Sequence, residues 1–396
     1  MSGLRLFYFF FFVALGIYSP AFPRWLEAHG IAGFELGLIA ATSPVMGLLS
    51  PPFFGWLADR TGLRRSMVAV TTGLAALAVA LLALLTATGA PGFALTLGCV
   101  AVFAFFRAPM GSLADTIALE SGAPYGPLRL WGSLGFLLAA VAAGRWLDPT
   151  SPGLLFAIAT ALACAGIVAW WLPARSRMPG ASASTAQPGS GALSLLRQDP
   201  ALRLLFVCAL CFEMAHSAYD LCFSLHLRDE GLTPGTAGIL WAVGVLAEVG
   251  FFLVAERLLE RYGAAPLLVL GAAATALRLG LLSVLHGVPA LVLLQSLHAL
   301  TFGATWTALM RIVRDESRPE SLGALRAMVS ATAAVGGAGG MLVWGTAYRS
   351  LGSSLTFRGA AGVAVLATLF ALACAGRLGL RPSHRGVVAR QAKSFP

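Results

Sequence analysis

The amino-acid sequence predicts an all-α membrane protein of twelve transmembrane helices in two pseudo-symmetric six-helix bundles, and three observations carry that prediction. Apolar residues fill 58% of the 396 positions and charged residues only 11%, where a soluble domain is nearer half apolar and a quarter charged. Apolar runs that match the ~20 residues needed to cross a hydrocarbon core recur along the whole chain. One long polar stretch divides those runs six and six. No hydrophilic stretch is long enough for a separate soluble domain, which excludes a soluble enzyme held by one anchor.

The elements follow in order from apolar runs between charged or Gly/Pro breaks. The first run, beginning at Leu4, has the look of a secretory leader but shows no small-x-small cleavage site and meets Pro20, Pro23 and Trp25. It therefore reads as a span over 4–26. The remaining first-half spans are expected at 34–57, 66–88, 92–117, 128–147 and 153–173. The Gly/Ala/Ser/Pro composition of 174–199 predicts a flexible cytoplasmic linker. Six more spans follow at 201–227, 236–258, 264–286, 289–311, 323–348 and 355–376. The chain thus divides into a first half (1–173), the linker (174–199), a second half (200–377) and a basic tail (378–396).

Charge sets the orientation. The net charge of +10 suggests a polyanion partner until the positions are read. Only Arg24, Arg145, Arg228, Arg349 and Arg358 fall on one side of the predicted spans, and Arg107 and Arg278 fall within them. The other Lys and Arg residues share the side of both termini, the asymmetry of the positive-inside rule. The expectation is a bacterial inner-membrane protein with cytoplasmic termini, monomeric, in contact with lipid and not nucleic acid. The six cysteines all sit in apolar runs. The CxxC spacing of Cys208 and Cys211 has no second pair or clustered histidines, so these read as small apolar side chains and no metal site is expected.

An internal repeat supports the two halves. Gly55-Trp56-Leu57-Ala58-Asp59-Arg60-Thr61-Gly62-Leu63-Arg64-Arg65 follows span 2, and a weaker copy, Glu256-Arg257-Leu258-Leu259-Glu260-Arg261-Tyr262-Gly263, follows span 8. Leu128-Arg129-Leu130 and Leu325-Arg326-Ala327 open spans 5 and 11 at a similar offset. Duplicated halves place a solute site between them near the midplane. The first loop carries the whole G-x3-D-R-x-G-x-R-R signature and so resembles the major facilitator superfamily. In that reading Gly55, Asp59, Arg60, Gly62, Arg64 and Arg65 form a cytoplasmic gate. Gly55 permits close helix packing, and the charges pair with one another or with a helix terminus across the interface.

Within that superfamily the chain resembles the proton-coupled branch that includes the lactose and phenylpropionate permeases. The resemblance rests on Tyr18, Pro20, Pro23 and Trp25 in span 1, on Tyr125 to Phe136, and on His298-Ala299-Leu300-Thr301-Phe302-Gly303 in span 10. The G-x4-G-P-x2-G-G antiporter pattern is missing from span 5. Ionisable residues inside a bilayer are costly unless paired or hydrated, so each is a functional candidate. They are Arg107 and Asp115 in span 4, Glu213, His216 and Asp220 in span 7, Glu248 in span 8, Arg278 in span 9 and His298 in span 10. The resemblance implies that Asp115, Arg129, Phe136, Tyr219, Arg278 and His298 bind substrate. Arg129 offers a planar fork suited to a carboxylate. Thr301 stands where the sugar permease carries its proton-exchanging glutamate. That moves the proton role to Glu248, with Asp220, His216 and Glu213 as further candidates.

The expected function is proton-coupled uptake of a small organic solute, an aromatic carboxylate first and a sugar or nucleoside next. An efflux pump of the same fold is the alternative. No metal-ligand cluster, Ser/His/Asp arrangement or phosphate loop points to an enzyme, and the proton is the only cofactor expected. Gly336 to Gly340 reads as a close helix contact.

Overall fold

A computed structural model describes residues 2–89, 91–123, 125–173, 190–318 and 320–379. The linker residues 174–189 and the tail residues 380–396 lie outside the described residues. The first half holds α1 (Ser2–Ala28), α2 (Phe34–Thr61), α3 (Arg64–Thr88), α4 (Phe93–Glu120), α5 (Tyr125–Trp146) and α6 (Pro152–Ala169). A short helix, α7 (Ser190–Gln198), precedes the second half. There α8 (Pro200–Asp229), α9 (Pro234–Tyr262), α10 (Ala264–Leu282), α11 (Val288–Ser296), a π-helical turn (Ala299–Ala304), α12 (Thr305–Glu316) and α13 (Leu322–Gly379) follow.

Ten helical segments among the described residues are long and apolar enough to cross a membrane. One of them, α13, is two spans. Its backbone breaks at Gly352 (φ 77°), a left-handed conformation that glycine adopts without a Cβ penalty. Tyr348 donates a hydrogen bond to Asp229 at the end of α8, and Ser353 meets His226 at 2.7 Å. Cys374 then returns to the Ala201 carbonyl at the start of α8. The chain therefore reverses at Gly352. The twelfth rod is α5. Helix starts follow local capping: Ser151, Asp199 and Thr233 each accept from the first turn, and a proline follows each at the first helical position.

Three expectations change. The linker is not irregular throughout, because 190–198 is helical; Leu195 and Leu196 pack on the core of the second half, which supplies the burial a short helix lacks alone. Spans 11 and 12 are joined by one glycine instead of a loop. Span 10 is not a continuous α-helix but carries a π turn that follows His298 and contains Thr301, a feature often found at functional sites.

The halves meet at the end remote from the Asp59 loop. Gly37 of α2 lies against the backbone of Met341 and Leu342, and Gly144 of α5 against Pro234 of α9. Ala140 of α5 likewise leaves room only for a glycine at 238. The core at this far end runs across both halves, with Leu26, Ile31 and Leu36 clustered with Leu225, Leu227 and Tyr348. Toward the loop end the second half has its own core around Leu202, Leu205, Leu325 and Val329. The structure is closed at the far end and parted at the loop end.

At the loop end Gly62 caps α2 with φ 71° and an N–H bond to Ala58. The chain then turns straight into α3. Arg64, nearly buried, pairs with both Asp59 and Glu120. The gate charges thus join α2, α3 and α4 within the first half, and a Cβ at Gly55 would meet nothing within 4 Å. The close packing expected at Gly55 is not made in this parted arrangement. Arg64→Gln is expected to lower stability by about 1 kcal/mol, read as an earlier melt in detergent. Arg65→Gln removes no ion pair among the described residues and should melt like the parent.

Within the halves, the glycine contacts read from the sequence are present. Gly336 abuts the Leu210 carbonyl and Gly340 the backbone of Met214, joining α13 to α8. Gly16 and Gly135 join α1 to α5 in the same way, against Phe136 and Phe9.

Candidate functional site

A cavity of about 530 Å³ lies between the halves. Its first-half wall comes from Tyr18 and Phe22 of α1, Ser43 of α2 and Arg107 of α4. Its second-half wall comes from Glu213, Ser217 and Asp220 of α8, Trp241 of α9 and Trp306 of α12. The spacing of Glu213, Ser217 and Asp220 puts all three on one face of α8. Arg107 donates to the Ser43 hydroxyl at 2.7 Å and lies 5.8 Å from the Phe103 ring. Among the described residues it forms no ion pair, and its buried Nε has no hydrogen-bond partner. The cavity thus offers a cation with donors to spare, aromatic rings around it and two carboxyls opposite.

Behind the α8 wall runs a buried polar column. Arg278, 1% exposed, has every part of its fork engaged. Nε donates to the Leu294 carbonyl at 2.9 Å, Nη1 reaches Thr301 at 3.3 Å and His298 Nδ1 at 3.2 Å, and Nη2 bonds Gln295. The guanidinium also lies 4.1 Å from the centre of the Tyr219 ring. Gln295 completes the column by donating to the Tyr219 hydroxyl (3.0 Å) and the Leu240 carbonyl (2.9 Å). Neutral oxygens, a histidine nitrogen and an aromatic face thus surround Arg278. A planar five-donor cation can be satisfied this way.

The column connects to charge on both sides. His298 Nε2 lies 3.7 Å from Glu248, and His216 Nε2 lies 3.6 Å from Asp220. The two imidazoles stack at 5.6 Å. The structure therefore brings together Glu248, His298, Arg278, Tyr219, His216 and Asp220, and it puts Glu213 and Asp220 on the cavity wall.

The first-half set is arranged differently from the sequence reading. Asp115 accepts a hydrogen bond from Tyr8, which ties α4 to α1. Arg129 lies 5.5 Å over Phe12. Phe136 sits at the crossing of α5 with Gly16 of α1. None of the six residues expected to bind substrate (Asp115, Arg129, Phe136, Tyr219, Arg278 and His298) is on the wall of the central cavity. Arg107 is. Sequence reading also missed Gln295 and the two tryptophans. A glutamine in an apolar span, 17 residues after Arg278, was the available signal, because a buried amide needs partners.

Gln295→Leu removes an acceptor from Arg278 and leaves the Leu240 carbonyl and Tyr219 hydroxyl short of a donor. Its expected cost is about 2 kcal/mol. Gln295→Glu keeps an acceptor for Arg278 and should melt above Gln295→Leu, a comparison made by thermal unfolding of the two purified variants.

Comparison with known proteins gives a consistent result. Residues 1–359 match the model of the MFS_1 like family. The chain is 28% identical over 355 residues to the "Probable 3-phenylpropionic acid transporter" of Escherichia coli (strain K12), covering 88% of this chain and 91% of that protein. It is 31% identical over 281 residues to the maltose permease of Geobacillus stearothermophilus, covering 69% and 68%. The fold matches the crystal structure of the nucleoside transporter NupG with a TM-score of 0.81 at 18% identity, covering 94% of this chain and 98% of that one.

Proposed function

We propose, from the premise that the chain is a transporter belonging to the MFS_1 like family, that it couples inward proton flow to the uptake of a small aromatic carboxylate. The observation that carries this reading is Arg107, a guanidinium with no ion pair among the described residues in an aromatic-lined cavity between the halves. A carboxylate matches its spare donors, and a phenyl ring matches Tyr18, Phe22, Trp241 and Trp306. The name of the Escherichia coli relative supports the same class.

Coupling follows from charge. A substrate anion on Arg107 faces Glu213 and Asp220 across the cavity, and like charges repel one another. Anion and proton therefore enter together. The Glu248–His298–Arg278 column carries the second change of charge, with His298 placed between the carboxylate and the guanidinium. The rocking bodies are residues 1–173 and 200–377, with the bundle monomeric, in the bacterial plasma membrane, and both termini cytoplasmic.

The test is uptake of labelled 3-phenylpropionate into proteoliposomes. An inside-alkaline gradient should drive accumulation, and collapsing the gradient should abolish it. Glu213→Gln combined with Asp220→Asn should keep substrate exchange and lose gradient-driven accumulation. Failure of the gradient to drive uptake of any aromatic carboxylate rejects the proposal, and uptake of maltose or nucleosides in parallel vesicles would reassign the cargo.

A further inference from the structure

A second cavity, of about 410 Å³, lies at the closed far end where the two halves meet. It is separate from the central one: Arg24 and Glu27 of α1, Arg228 and Asp229 of α8, and Tyr348 and Arg349 of α13 surround it. Three arginines thus share it with two carboxylates.

The pairing inside it is lopsided. Arg228 takes both acids. Its Nη1 bonds Glu27 across the halves, while its Nε and Nη2 bond Asp229 at 3.0 and 2.7 Å. Tyr348 donates to the other Asp229 oxygen. Thr150, also on the wall, gives its hydroxyl to Asp148 at 2.7 Å. Arg24 and Arg349 form no ion pair among the described residues. The Nη1 of Arg24 is buried with no hydrogen-bond partner. Arg349 is exposed at the mouth, and its stem lies near Gly33 at the start of α2. A buried guanidinium donor without an acceptor is costly, and a roomy cavity between two unbridged guanidiniums suits an anion whose oxygens both can reach.

We infer that this vestibule binds a small carboxylate anion between Arg24 and Arg349, as a second site distinct from the one at Arg107. The inference rests on the carboxylate reading of the central site for its ligand class and on nothing else in it. Its position gives it a consequence. A carboxylate arriving at Arg24 and Arg349 sits beside the Arg228–Glu27 bridge and competes with Glu27 for the same cation, so occupancy loosens the ion pair that joins α1 to α8 at this end.

The experiment uses the full chain in nanodiscs of neutral lipid, where no lipid headgroup supplies a competing net negative charge, with benzoate titrated as the probe and binding followed by calorimetry. Arg107→Gln removes the central site, and residual benzoate binding in that variant is expected. Adding Arg24→Gln and Arg349→Gln should weaken the residual binding by about tenfold or more, the loss of a charge-assisted contact. Arg349→Glu added alone to Arg107→Gln, at an exposed side chain, serves where the multiple variant fails to fold, and it should weaken the residual binding as well. Loss of all benzoate binding in Arg107→Gln overturns the vestibule site, as does residual binding indifferent to the Arg24 and Arg349 changes. If Arg107→Gln binds benzoate as the parent does, the central reading fails instead, and the Arg24 and Arg349 variants still decide the vestibule.

Discussion

Arg107→Gln is expected to weaken binding of 3-phenylpropionate by roughly a hundredfold, because removing one partner of a desolvated charge pair costs about 2–5 kcal/mol. The same change should leave the ligand-free protein at least as stable as the parent. Among the described residues Arg107 hydrogen-bonds to the Ser43 hydroxyl and lies beside the Phe103 ring, and its buried Nε has no partner. Taking away a half-buried cation that forms no ion pair among the described residues removes a desolvation penalty. The signature is therefore a split: an unchanged or higher melting temperature without ligand, and no ligand-induced rise with it. Arg107→Lys keeps the charge and loses the fork, so its expected loss is smaller, about tenfold. A variant that binds normally, or one that merely unfolds, contradicts the role given to Arg107.

Gly144→Ala with Gly238→Ala is expected to push the far end apart. A Cβ at either position falls inside contact distance of a backbone carbonyl of the other half, Pro234 for Gly144 and Ala140 for Gly238. Backbone has no rotamer by which to yield. Overpacking of this kind costs about 1–3 kcal/mol per site, so the pair shifts the balance between far-end-closed and far-end-open states by roughly a hundredfold. Spin labels at the far ends of α5 and α9 should report a longer distance between them than in the parent. The control is Gly16→Ala, where the crowded carbonyl belongs to Phe136 of the same half. It should lower the melting temperature without changing the α5–α9 distance. The same response from both variants would mean that the far-end glycines only hold the fold together.

The central site is partly legible in the sequence. Glu213, His216, Asp220, Glu248, Arg278 and His298 stand out because ionisable groups are rare in apolar spans, and the structure joins them through one column or one wall. Arg107 stands out as well, and its depth is what separates it from Arg129. It lies near the middle of α4 (Phe93–Glu120), whereas Arg129 lies four residues into α5 (Tyr125–Trp146). A midplane cavity selects the former. Gln295 escapes a charge inventory because its amide is neutral, although it satisfies Arg278, Tyr219 and Leu240 together.

What the sequence determined by itself was everything that depends on one segment and its solvent. The apolar runs set the spans, and Gly62 and the caps at Ser151, Asp199 and Thr233 set where helices stop and start. These are local properties, because each backbone group in lipid must be satisfied within its own helix. Only the tertiary structure decided which side chains face one another. Arg129 lies over Phe12, Asp115 accepts from Tyr8, and Arg107 faces Glu213 and Asp220 across the cavity with no ion pair among the described residues. Such pairings depend on the rotation and crossing of helices from distant parts of the chain. Those in turn are set by where glycines let one backbone lie against another.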